Sequence, residues 1–254
     1  MKKLLSISIL LCASVLAGCE KNAVQDITGA LPAARVKFFN FGVGAPAVNF
    51  YANDTKMTAT FSSTGAESVN GVVYGGVGAG GFYSGIEPGA YTISGRIAGA
   101  TDKDLAITTV PVTIGGDKFY SFYVSGLYNA TTKTAEGFIV EDAFPAKIDY
   151  DNASVRFVNA VSNSQPMSLF ATNAATGAEI AIGAAVAYKA GGTFITLPPG
   201  VYNLATRSAG SATAVVTRTN VNFENGRVYT IGARGSIGAA VVAQRPFLDN
   251  TLNR

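Results

Sequence analysis

The segments Ile86-Glu87-Pro88-Gly89-Ala90-Tyr91 and Leu197-Pro198-Pro199-Gly200-Val201-Tyr202 are two copies of one phrase, and the residues on either side of them match as well. Val36-Lys37-Phe38-Phe39-Asn40 pairs with Val155-Arg156-Phe157-Val158-Asn159, and Phe119-Tyr120-Ser121-Phe122 pairs with Val228-Tyr229-Thr230-Ile231, in the same order along the chain. A duplicated order of matched pieces restricts the 254-residue chain to one fold written twice, at roughly 115 residues per copy. Each copy is long enough to bury its own core. In both, Pro fixes φ ahead of a Gly that tolerates positive φ, which makes a tight turn, and the following Tyr opens a strand.

Val36 and Phe38 alternate with Arg35 and Lys37, the period-two pattern of a half-buried strand. Similar short runs follow at 47–51, 69–74, 81–86, 91–97, 105–114, 119–125 and 138–140. In the second copy they fall at 155–160, 167–172, 179–182, 193–197, 202–207, 212–221, 227–233 and 238–244. Gly115-Gly116-Asp117 and Glu224-Asn225-Gly226 occupy equivalent hairpin loops. With 29 glycines, 48% hydrophobic residues and only 14% charged residues, the chain is folded and rich in turns. The expected fold is all-β: two tandem antiparallel β-sandwich domains of immunoglobulin-like or transthyretin-like type behind a lipoprotein signal peptide. The expected boundaries are 1–18 for the signal peptide, 19–34 for a tether, 35–144 for repeat one, 145–153 for a linker, 154–248 for repeat two and 249–254 for a frayed tail. Tyr120, Phe122 and Val124, matched by Tyr229, Ile231 and Ala233, are expected to face the cores.

Lys2-Lys3, the apolar run 4–16 and Leu16-Ala17-Gly18-Cys19 read as a secretory leader that ends on a cysteine. This ending resembles the lipobox of bacterial lipoproteins, which implies cleavage before Cys19 and acylation of Cys19. The run is too short to span a bilayer, but several acyl chains anchor a protein durably. The expected location is therefore the cell envelope, at the outer membrane, with the membrane itself a partner through lipid on Cys19. Cys12 lies in the leader, so with two cysteines in all the mature chain keeps no free thiol.

The pattern Arg35 to Tyr51 with Ile86 to Ile97, repeated in Val155 to Phe170 and Leu197 to Arg207, resembles the bacterial domain of unknown function 4397, which occurs as tandem copies in lipoproteins of Bacteroidetes. The resemblance implies an exported β-rich module with no assigned activity and no catalytic residue to carry across. Copy two departs where Gln165-Pro166-Met167-Ser168 stands in place of Ala45-Pro46-Ala47-Val48.

The chain has no His, which removes Ser-His-Asp and Cys-His catalysis and the commonest transition-metal ligand. Gly76-Val77-Gly78-Ala79-Gly80-Gly81 fits a dinucleotide fingerprint in letters, but strand residues follow it where a helix is required, so it reads as a loop. Asp149-Tyr150-Asp151-Asn152 and Asp102-Lys103-Asp104 lack the ligand spacing of a complete Ca²⁺ site. Of the net charge of +3, Lys2 and Lys3 account for two, leaving no basic patch for nucleic acid. No catalytic, cofactor or metal residue is expected. Tyr74, Phe82, Tyr83 and Tyr128 are the candidate ligand-facing aromatics, although Trp is absent, and Asn40 and Asn159 are expected to hold turns. The expectation is a non-catalytic cell-envelope lipoprotein serving as a structural or interaction module for an unknown protein or glycan partner. A carbohydrate-binding surface lipoprotein and an adhesin or fimbrial subunit are the alternatives.

Overall fold

The structure, a computed structural model, describes residues 33–58 and 70–254. The leader, Cys19, most of the tether and Val69 lie outside the described residues. Repeat one contributes β1 (Ala34–Asn40), β2 (Val48–Ala52), β3 (Thr55–Lys56), β4 (Gly76–Val77), β5 (Ser84–Ile86), β6 (Gly89–Ile97), β7 (Ala106–Ile114), β8 (Phe119–Asn129) and β9 (Thr134–Glu141). Repeat two contributes β10 (Ala153–Asn159), β11 (Met167–Asn173), β12 (Glu179–Val186), β13 (Ala190–Gly191), β14 (Ile195–Leu197), β15 (Gly200–Ser208), β16 (Ala214–Phe223), β17 (Val228–Arg234) and β18 (Phe247–Leu252).

The topology is the same in both repeats. One sheet runs β4-β1-β8-β9 with β5 also on β1, and its counterpart runs β13-β10-β17-β18 with β14 on β10. The second sheets run β3-β2-β6-β7 and β12-β11-β15-β16. The expected sandwiches are present, with one departure from purely antiparallel pairing: β1 runs parallel to β8, and β10 parallel to β17, with Val36 opposite Tyr120 and Val155 opposite Tyr229. A long crossover through the second sheet permits this, where a tight hairpin would not.

Each sandwich closes on its own core. In repeat one Phe38 stacks on Phe50 at 5.1 Å beside Phe122, Ile93 and Val124. In repeat two Phe157, Leu169, Tyr202, Phe223 and Ile231 fill the same space. A third apolar cluster joins Phe39, Phe41, Tyr123 and Phe138 of repeat one to Val158 and Ala160 of repeat two. The sheets built on β1 and β10 therefore face each other. This explains why β10 is buried along its whole length instead of alternating.

The Pro-Gly turns are as expected, except that each strand begins at the glycine: Gly89 and Gly200 open β6 and β15 with φ of 155° and 152°. The run 70–74 is reduced to a single bridge between Val72 and Val48. Residues 238–244, expected as a strand, contain a short 3₁₀ turn at Val242–Gln244, and the last strand is β18. Asp249 to Leu252, expected to fray, pair with β17 in full register. The reason is apolar anchoring that a short tail conceals in sequence: Leu248 is fully buried in the second core.

Candidate functional site

Asn40 and Asn159 end the first strand of each repeat and are fully buried. Asn40 Oδ1 accepts from the Gly42 N–H, and its Nδ2 donates to the carbonyls of Pro46 and Val72. Asn159 Oδ1 accepts from the Val161 N–H, and its Nδ2 donates to Ser164 Oγ and the Val186 carbonyl. Both are therefore turn holders, as their matched positions implied. Tyr120 and Tyr229 are a second matched pair, their hydroxyls accepting from the backbone N–H of Gly115 and Glu224 in the equivalent hairpins.

The strongest electrostatic feature is the seam between the repeats. Lys37 and Arg156 hold equivalent positions on β1 and β10, and each is 1% exposed. Each crosses to the end of the other repeat's last strand. Lys37 Nζ donates to the Leu252 carbonyl at 3.2 Å and to Asn253 Oδ1 at 3.3 Å. Arg156 donates to the Glu141 carbonyl at 3.0 Å and forms a buried ion pair with Asp142. Asp142 and Asn253 are themselves equivalent, since their N–H groups donate to the carbonyls of Phe119 and Val228 in the same register. Asp142 also accepts from Ser121 Oγ at 2.8 Å and Tyr83 OH at 2.6 Å, while Asn253 donates to Thr230 Oγ1 at 2.7 Å.

Burial shifts these groups. It lowers Lys37 to about 8, with Asp142 opposing the shift and Arg156 adding to it. Burial and then the Asp142 carboxylate push the Tyr83 phenol far above its ordinary value. Perturbed groups of this kind are what a search for chemistry looks for. Here Lys37 and Tyr83 are each engaged by partners inside the seam.

Two of the four aromatics singled out in sequence belong to this seam. Tyr83 carries the Lys37 ammonium on its ring at 4.4 Å, and its equivalent in repeat two, Phe194, carries Arg156 at 4.9 Å. Tyr74 packs under Arg234 at 4.7 Å, and its equivalent, Tyr188, hydrogen-bonds Ser125 across the seam at 2.9 Å, its phenol pushed up to about 12 by burial. Tyr128 is half-buried against the first core. Phe82 is 75% exposed, so the four do not form a common face. The loop 76–81 forms a two-residue strand and a 3₁₀ turn.

Sequence reasoning missed the outer sheet faces. Arg96 stacks on Tyr51 at 4.3 Å, and at the equivalent place Arg207 stacks on Phe170 at 4.3 Å. Arg207 is clamped in both directions by Glu179, whose carboxyl is held below its ordinary value by that contact. Around Arg96 lie Asn53, Asp54, Thr92, Ser94, Asp104 and Thr109, lining a shallow trough of about 390 Å³. The signal for both stacks was present in sequence as matched Arg and aromatic residues on strands already aligned. The acid runs are committed elsewhere: Asp149 caps its own turn through Asp151 and Asn152, Asp102 pairs with Lys133, and Asp104 accepts from Tyr51. Among the described residues no three Cys, His, Asp or Glu side chains gather in a metal-holding group.

Fold and seam together define a tandem all-β module of two like sandwiches paired face to face. The chain belongs to the family described as Domain of unknown function (DUF4397), whose profile matches residues 34–170 and 153–253. The first match runs past repeat one into β10 and β11, the strands that open repeat two. No curated protein matches the chain.

Proposed function

We propose that this chain is a non-catalytic lipoprotein of the cell envelope, held by lipid on Cys19, whose paired repeats act as a structural or interaction module. The observation that carries the reading is that Lys37, Tyr83, Asp142 and Arg156, the buried charged and polar groups that chemistry would need, are consumed by one another in the seam. Surfaces free to meet a partner are the two outer faces and the end loops. Purified mature protein is expected to give blank turnover with glycosidase, esterase and peptidase substrates. Activity lost on changing one carboxylate overturns the reading. Metabolic labelling with an alkynyl fatty acid is expected to mark the wild-type chain and to fail on Cys19→Ser.

A saccharide-binding reading gains support from the trough beside Arg96, where donors and acceptors alternate over a stacked tyrosine. Its test is a glycan array probed with wild type and Arg96→Ala. No signal, or signal equal for the two proteins, removes it. The adhesin reading requires an open strand edge, and two long edges are blunted: β7 carries Pro111 near its middle, and β16 carries Asn220 at φ 57° beside a register shift.

A further inference from the structure

The two repeats meet through one and the same face of each, and the contacts are reciprocal in detail. The cation of β1 reaches the end of β18, and the cation of β10 reaches the equivalent end of β9. Tyr83 and Phe194 carry those cations on their rings, and Tyr74 and Tyr188 each pack on the opposite repeat. Reciprocity of this kind is the signature of a two-fold, isologous contact between like subunits. From it we infer that the face built on β1, β8 and β9 of repeat one is an association surface whose occupant is the equivalent face of repeat two, of the same chain or of a second copy of it, and that this pairing is specific for unlike repeats.

The specificity follows from the places where reciprocity is broken. Repeat one offers bulk, with Phe39, Tyr123 and Phe138 stacked in a row at 4.5 and 4.9 Å. Repeat two offers space with Val158, Ala160 and Gly232, and a Cβ on Gly232 would stand 2.9 Å from the Phe41 ring. Two copies of repeat one would set ring against ring and overfill the seam; two copies of repeat two would leave a void. Charge adds to the exclusion of the repeat-two pair, while bulk alone excludes the repeat-one pair. Arg156 finds its carboxylate in repeat one, whereas pairing repeat two with itself would bury two arginines against Asn253 and no acid. Two chains can therefore recombine with repeat one of each on repeat two of the other.

The test begins with the whole mature chain carrying a site-specific protease sequence inserted between Lys147 and Ile148, both exposed in the linker. After cutting, the halves are expected to elute together at the size of the uncut protein. Isotope-labelled and unlabelled cut protein, unfolded together in urea and refolded, are expected to give hybrid unlike pairs in statistical proportion by native mass spectrometry, with like pairs absent. Arg156→Met in the cut protein is expected to weaken the association roughly a hundredfold. Separation of the halves as folded monomers overturns the proposal, as do like pairs at the frequency of unlike ones. Loss of the β circular-dichroism signal on cutting also overturns it, because neither face then stands without the covalent link.

Discussion

At the scale of single residues, the clearest roles belong to polar side chains sealed from water. Asn159, itself fully buried, makes three hydrogen bonds that hold the turn after β10, so Asn159→Ala strands the Val161 N–H and the Val186 carbonyl in the interior. Thermal unfolding should show a loss of about 2–3 kcal/mol, with Asn40→Ala close behind. Thr206 is the opposite case: its hydroxyl is fully buried and finds no partner among the described residues, so Thr206→Val should stabilise by about 1 kcal/mol in urea titration. Lys37 gives a pH signature. Its ammonium loses its proton near 8 in the fold against 10.5 in the open chain, so between those values the unfolded state binds more protons. Stability should therefore rise from about pH 8 upward, by at most about 1.4 kcal/mol per unit, until unfolded-state tyrosines ionise near pH 10 and oppose it. Below pH 8 the contribution is flat and at its least favourable. Asn253→Asp places a carboxylate beside Lys37 and should flatten that rise, a contrast read directly from chemical denaturation at pH 7, 8, 9 and 10.

Among strands, legibility divided by what lay on the far side of each sheet. β6 and β15 were plain in sequence because one face is packed and the other wet, so Ile93 and Ile97, or Tyr202 and Leu204, alternate with polar neighbours. β1 and β10 show the same alternation of letters, yet Lys37 and Arg156 are as buried as the phenylalanines beside them. Nothing local announces this, because the burial is supplied by the other repeat. For the same reason sequence alone does not separate packing from ligand contact for Tyr74 and Tyr83, which are seam residues. The strand β18 was hidden by its polar letters, Asp249-Asn250-Thr251, which are tolerated because Arg234 pairs with Asp249 at 2.6 Å. The edge strand β7 yields a prediction of its own. Pro111 is exposed at its centre, and Pro111→Thr restores a backbone donor to an otherwise apolar and Thr-rich edge. Light scattering should show concentration-dependent association of this variant where the wild type shows none.

At the scale of the molecule, two ordinary sandwiches become one body through a seam of fitted bulk and shared charge. Gly232→Val drives a side chain into the Phe41 ring and should cost about 1–3 kcal/mol without changing either sandwich's own core. Tyrosine fluorescence from Tyr123 and Tyr188 should report the loosening before global unfolding does. The partner groups for Lys37 lie at Leu252 and Asn253, 215 and 216 residues further along the chain. A chain synthesised from repeat one onward thus keeps the aromatic row of Phe39, Tyr123 and Phe138 without its cover until repeat two has been made and folded. Over that interval repeat one presents bare apolar surface of the kind that aggregates or is captured by chaperones, so the second repeat acts as the folding shield of the first.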